Sequence, residues 1–154
     1  MKEEEVIDGI ETTCEVPSPD DYSVAGHLAA AISRRYELEL KTHWVLFCPE
    51  LDVDEERLRP AYAVVPRDWF PQAEFTLAQA PPLVIDVASK AEARHVFDRR
   101  VPALLSIGCK DVWVCDIASG LLRAFNVDGS AWSGPLKDSI RLPPFEDTEV
   151  GLRS

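Results

Sequence analysis

Long apolar runs are missing from this chain of 154 residues, and none of its hydrophobic stretches approaches the roughly twenty residues that a helical membrane span requires. A membrane-spanning protein is not expected. Positive charge is also scarce: 16 Lys and Arg stand against 27 Asp and Glu, a net charge of −11. On average this disfavours nucleic acid as a partner, because phosphate binding relies on Lys and Arg displacing counterions. The first residues, MKEEEVIDG, lack a cationic segment followed by an apolar one, so no secretory signal is read and a cytoplasmic location is expected. The four cysteines, Cys14, Cys48, Cys109 and Cys115, have neither zinc-type nor redox-pair spacing, which predicts buried free thiols. No internal repeat, linker or low-complexity tract divides the chain.

What remains is an ordinary globular composition, 46% apolar and 28% charged, with a mean hydropathy of −0.10. The length suits a single domain over residues 1–154, able to bury roughly two-thirds of its unfolded surface. The charge is segregated. Residues 1–21 carry eight acids against Lys2, and Glu50 to Glu56 adds five more. Lys90, Arg94, Arg99 and Arg100 cluster with His95 on the segment after Val87.

Organisation centres on Pro82 to Asp116, which reads as strand, helix, strand. Leu83, Val84, Ile85, Val87 and Ala88 form a nearly continuous apolar run of the kind found in strands covered on both faces. Asp86 interrupts it. A carboxylate out of water needs a cation, a metal or hydrogen-bond donors, so Asp86 is either a structural acid paired with an Arg or a metal ligand. Ser89 to Arg99 is mostly polar, Pro102 to Gly108 resumes an apolar helical pattern, and Val112 to Cys115 is a second buried strand.

Elsewhere, EVIDGIETTCEV reads as a hairpin turning at Asp8 and Gly9, its acids facing solvent. Pro17 to Asp21 supplies an N-cap, and a helix follows from Tyr22 to about Leu40, with Val24, Leu28, Ile32 and Tyr36 on one stripe. His27 has no ligand-type residue three or four places away, so it reads as a surface histidine. His43 to Val53 suggests one strand, bulged or at an edge because of Pro49, ending in the acidic turn DEER. Tyr62 to Val65 is a further strand. Trp69 to Ala80 is irregular; Trp69 and Phe70 read as a cover for the end of the sheet in preference to a base-stacking platform, because such platforms come with cations around them. LLRAFNV returns antiparallel to Val112–Cys115, and residues 126–154 are expected as an irregular wrap anchored by Trp132, Leu136, Ile140 and Phe145.

The segment PLVIDVAS, the charged helix after it, Gly108, and Trp113 with Asp116 in VWVCD resemble the Uma-type family of bacterial restriction endonucleases, in the PD-(D/E)XK nuclease superfamily. EVIDG, PSPDDYSVAGHLAAAI and RPAYAVV fall where that family has corresponding segments, so the resemblance spans about residues 5–126. It implies an α/β (α+β) fold: a restriction-endonuclease-like core with a mixed central sheet flanked by two main helices. It also implies Mg²⁺- or Mn²⁺-dependent cleavage of DNA phosphodiesters, with two carboxylates holding the ion and a lysine ammonium at the developing charge.

Carried across by position, the family's Asp falls on Ala61, its Glu on Asp86 and its Lys on Arg100, while an expected tyrosine is Leu104. An alanine binds no cation, and an arginine stays protonated. The active reading therefore uses Asp86 as ligand, Arg100 or Lys90 as the cation, and a second acid borrowed from Asp52, Asp54 or Glu55. The other reading pairs Asp86 with Arg100 in a degraded site, leaving the fold for partner binding or assembly. The oligomeric state stays open, a homo-oligomer included.

Overall fold

The computed structural model describes residues 2–69 and 76–136. Asp8 and Gly9 both take positive φ (54° and 75°), the conformation a two-residue hairpin turn demands, and they join β1 (Lys2–Ile7) to β2 (Ile10–Glu15). Ser18 caps α1 (Pro19–Ser33) by accepting the Asp21 N–H at 3.2 Å, so the helix begins three residues before Tyr22. It continues through π-helical turns at Arg34–Glu39.

The expected single strand over His43 to Val53 is two strands in different sheets. Cys48 adopts φ 50° and Pro49 has no N–H to donate, so pairing stops between β3 (His43–Phe47) and β4 (Glu50–Val53). The acidic turn is tighter than expected. Asp54 and Glu55, both at positive φ, reverse the chain into β5 (Glu56–Leu58), which pairs with β4. Strand β6 (Tyr62–Pro66) follows, and β7 (Thr76–Leu77) lies parallel to β4. Trp69 packs on the core, while Phe70 lies outside the described residues.

Strand β8 (Leu83–Ala88) is buried at all six positions. A continuous helical run follows: α2 (Ala93–His95), a π-helical segment Val96–Arg100, and α3 (Val101–Ser106). It leads to β9 (Asp111–Asp116), parallel to β8, completing a βαβ unit, and β10 (Leu121–Asn126) returns antiparallel. The irregular wrap expected from residue 126 is corrected in its first part. Ala131–Pro135 forms β11, an edge strand whose pairing with β10 is a backbone property its Gly- and Pro-containing sequence concealed. Ile140 and Phe145 lie outside the described residues.

Two sheets result, ordered β2-β1-β5-β4-β7 and β11-β10-β9-β8-β6-β3. Strand alternation divides the core between the faces of the six-stranded sheet. Leu83, Ile85 and Val87 pack with Leu28 and Ile32 of α1. Val84 and Ala88 face the opposite way, with Val96, Val101 and Leu104 of the second helical run and with Ile7, Leu51 and Leu58 of the five-stranded sheet. The mixed sheet is thus flanked by two helices, and Asp86 shares its face with the second helix and β1. No helix among the described residues is long and apolar enough to cross a membrane. Cys48 is exposed, against expectation, while Cys14, Cys109 and Cys115 are buried and all four are free.

Candidate functional site: a buried carboxylate and guanidinium network

Asp86 is 1% exposed, and all its hydrogen-bonding capacity turns inward. Its Oδ1 accepts the backbone N–H groups of Ala61 (3.2 Å) and Val87 (2.9 Å). Its Oδ2 accepts Nη1 of Arg100 at 2.9 Å. Ala61, where the resemblance leads one to expect an aspartate, brings a backbone donor to Asp86 and no second carboxylate.

Arg100 is 4% exposed and bridges Asp86 to a second acid, Glu5 on β1, which is 0% exposed. Its Nε donates to both Glu5 oxygens (3.0 and 2.9 Å), and its Nη2 donates to Oε1 at 2.8 Å. Nη2 also lies 3.6 Å from the Cys14 sulfur. His95 Nε2 meets Glu5 Oε1 at 2.6 Å, and the Arg59 N–H donates to Oε2 at 2.7 Å. His95 and Arg100 are five residues apart, and the π-helical turns between them place both on the side that faces Glu5.

The electrostatics follow from this enclosure. Burial opposes ionisation of Glu5, but the His95 hydrogen bond, the charge and hydrogen bonds of Arg100 and the Arg59 amide outweigh it, holding Glu5 down at about 2. Burial likewise disfavours the Arg100 cation, and the Asp86 and Glu5 carboxylates overcome that, raising its pKa further. Burial, reinforced by Glu5, pushes the Cys14 thiol up to about 12. Glu3, on the same face of β1, is raised chiefly by its partial burial.

The remaining candidates lie apart. Lys90 is exposed in the turn after β8, and no ion pair joins it to Asp86 among the described residues. Asp52 is exposed on β4 and Asp54 in the following turn, both beyond the five-stranded sheet's inner face, and neither forms a ligand group with Asp86 among the described residues. Leu104, in place of the tyrosine, is core. Glu5 escaped the sequence reading, which sent the hairpin acids to solvent. Counting by twos from Ile7 puts Glu5 inward, and that period was the available signal.

Do these residues fit a metal? Among the described residues the one group able to share an ion is Glu5, Cys14 and His95, whose ligand atoms lie within 4.8 Å of one another. Arg100 already contacts two of the three, and burial keeps the Cys14 sulfur protonated. A cation there would face a guanidinium, as it would at Asp86 Oδ2. Neither position fits a divalent ion in this arrangement.

No protein-family model matches the chain, and no curated protein sequence does. Among solved structures it is similar to a protein from Anabaena variabilis ATCC 29413 described as "a putative nuclease belonging to DUF820". The TM-score is 0.72 at 12% identity, covering 84% of this chain and 75% of that one. Likeness at this identity speaks to fold, and it agrees with the mixed sheet and paired helices above: the chain has a restriction-endonuclease-like α+β core.

Proposed function

We propose that this chain is a Uma-type relative of the PD-(D/E)XK nucleases, one domain over residues 1–154, in which metal-dependent phosphodiester cleavage is weak or lost and the fold serves partner binding or assembly. One observation carries the reading. The Arg100 guanidinium sits 2.9 Å from Asp86 Oδ2, where a divalent ion would have to bind, while two amides hold Oδ1. Moving Arg100 aside to admit an ion would leave Glu5 and Asp86 buried without their cation, a cost of several kcal/mol. The net charge of −11 also weighs against DNA as the partner.

The fold itself favours a second reading, a Mg²⁺- or Mn²⁺-dependent DNA endonuclease using Asp86. Incubation with supercoiled plasmid separates the two. The expected outcome is intact plasmid with either ion, unchanged in Asp86→Asn protein. Divalent-dependent nicking that disappears in Asp86→Asn establishes the endonuclease instead.

A further inference from the structure

Strand β3 (His43–Phe47) ends the six-stranded sheet, and among the described residues only β6 pairs with it. Edge strands ordinarily carry charge, proline or a bulge, or stay very short, which keeps them from capturing another strand. The other three edges conform: β2 carries Glu11 and Glu15, β11 ends in Gly134 and Pro135, and β7 has two residues. Strand β3 reads His-Trp-Val-Leu-Phe, without an acid, lysine, arginine, glycine or proline.

Apolar surface gathers at the same edge. Of the large hydrophobic side chains exposed among the described residues, Leu38, Leu40, Trp44 and Phe47 lie on β3 or in the segment leading into it, and only Ile10 and Val127 lie elsewhere. Phe47 is 55% exposed, although the Tyr22 and Tyr62 rings steady it from one side at centroid distances of 5.5 and 5.3 Å. Its position is set before any partner arrives.

Hydrogen bonding to β6 decides which backbone groups of β3 are left over. The Cys48 N–H donates to the Ala61 carbonyl at 2.6 Å and the Arg67 N–H to the Thr42 carbonyl at 3.0 Å, and both pairs continue the β3–β6 register. Bonded pairs alternate along an antiparallel ladder, so Trp44 and Leu46 turn their backbone groups toward β6 while Val45 and Phe47 turn theirs outward. This outward pair is self-complementary. A two-fold axis beside Leu46 sets Val45 of one copy opposite Phe47 of the other, closing four hydrogen bonds and laying each Phe47 ring beside the other copy's Val45. Charge allows the same choice. Leu40 to Pro49 contains no acid, so two copies of a chain of net charge −11 meet where neither brings negative charge, while a basic peptide finds no acid on this strand to hold it.

We propose that two copies of this chain pair antiparallel through β3, joining their six-stranded sheets into one across a two-fold axis. This deepens the assembly part of the reading above and rests on it. The test uses neither metal nor DNA, so a monomeric chain leaves the plasmid result standing, and a nicked plasmid leaves the dimer standing.

The test is sedimentation of the full chain over a range of concentrations in EDTA, together with amide hydrogen exchange at Val45 and Phe47. The expected result is a monomer–dimer equilibrium in which these two amides exchange slowly at high concentration and fast on dilution, while those of Trp44 and Leu46 stay slow throughout. Phe47→Lys, at an exposed position, places its charge twice across the axis and weakens dimerisation roughly thirtyfold. Val127→Lys, which alters an equally exposed apolar residue away from β3, leaves the dimer intact. Should Phe47→Lys fail to fold by circular dichroism, the dilution dependence of exchange in the wild type decides alone. A monomer at every concentration, a dimer that survives a folded Phe47→Lys or is lost in Val127→Lys, or a dimer whose Val45 and Phe47 amides exchange fast overturns the proposal. So do slow Val45 and Phe47 amides in the monomer, which would mean that another segment of the same chain covers the edge.

Discussion

Replacing Arg100 with methionine is expected to destabilise the protein by about 3–5 kcal/mol, the range found when one partner of a buried ion pair is removed. The loss has a specific origin. Glu5 and Asp86 are fully buried, and Arg100 supplies four of the hydrogen bonds that keep their charges satisfied. Without it each acid must be buried unpaired, take up a proton, or draw water inside. For a chain of this size the corresponding fall in melting temperature is on the order of 10 °C. Arg100→Lys should fall between, since an ammonium keeps the charge but lacks the planar fork that spans two carboxylates.

Buried ion clusters can often be exchanged for apolar residues of similar volume without loss. Here that exchange should fail. Asp86 satisfies the amides of Ala61 and Val87, and Glu5 satisfies the amide of Arg59. A Glu5→Leu, Asp86→Leu, Arg100→Met triple variant removes the charges but strands three backbone donors, each costing about 1–3 kcal/mol if no water reaches it. Chemical denaturation of the single and triple variants checks both statements. Full stability in the triple variant would show that the amides find other partners.

The second large effect is in acid. Glu5 sits at about 2 in the folded protein against an ordinary value of 4.5. A carboxyl with a depressed folded pKa stabilises the fold fully above its unfolded value, and the contribution fades as the pH falls through the interval between them. From the two values Glu5 contributes on the order of 3 kcal/mol above pH 4.5, of which about 2 kcal/mol is gone by pH 3. Asp116 is lowered too: burial opposes its ionisation, but hydrogen bonds from Ser119 and Arg123 prevail, so it acts in the same direction. Glu3 and Asp111, raised by burial, act in the opposite one. Urea unfolding of wild type and Glu5→Gln at pH 6 and pH 3 isolates the Glu5 contribution. The stability gap between the two proteins should narrow markedly at the lower pH. A constant gap would mean that Glu5 does not titrate with unfolding.

The parts of this site that the sequence disclosed are those where charge contradicts its surroundings. Asp86 interrupts an otherwise apolar strand, and Arg100 lies a helix away in a cationic stretch, so their pairing was readable as one of two alternatives. Glu5 was hidden by its neighbours. Among Glu3, Glu4 and Asp8 a buried acid looks like a solvated one, and its partner Arg100 lies 95 residues away. The core fold was legible because β8 and β9 are continuous apolar strands joined by a helical pattern. The short strands β5 and β11 were not, since edge pairing is set by backbone contacts their compositions do not mark. The break at Cys48 and Pro49 was visible as an irregularity, but its meaning, a change of sheet, depends on tertiary packing.

The claim underlying all of this is that a protein cation occupies the place a catalytic divalent ion would take. Manganese titration followed by electron paramagnetic resonance measures it directly, because free Mn²⁺ gives a six-line signal that weakens on binding. With wild-type protein at neutral pH, the signal should persist as protein is added, and Asp86→Asn should behave identically. Stoichiometric loss of the signal in wild type, abolished by Asp86→Asn, would contradict it.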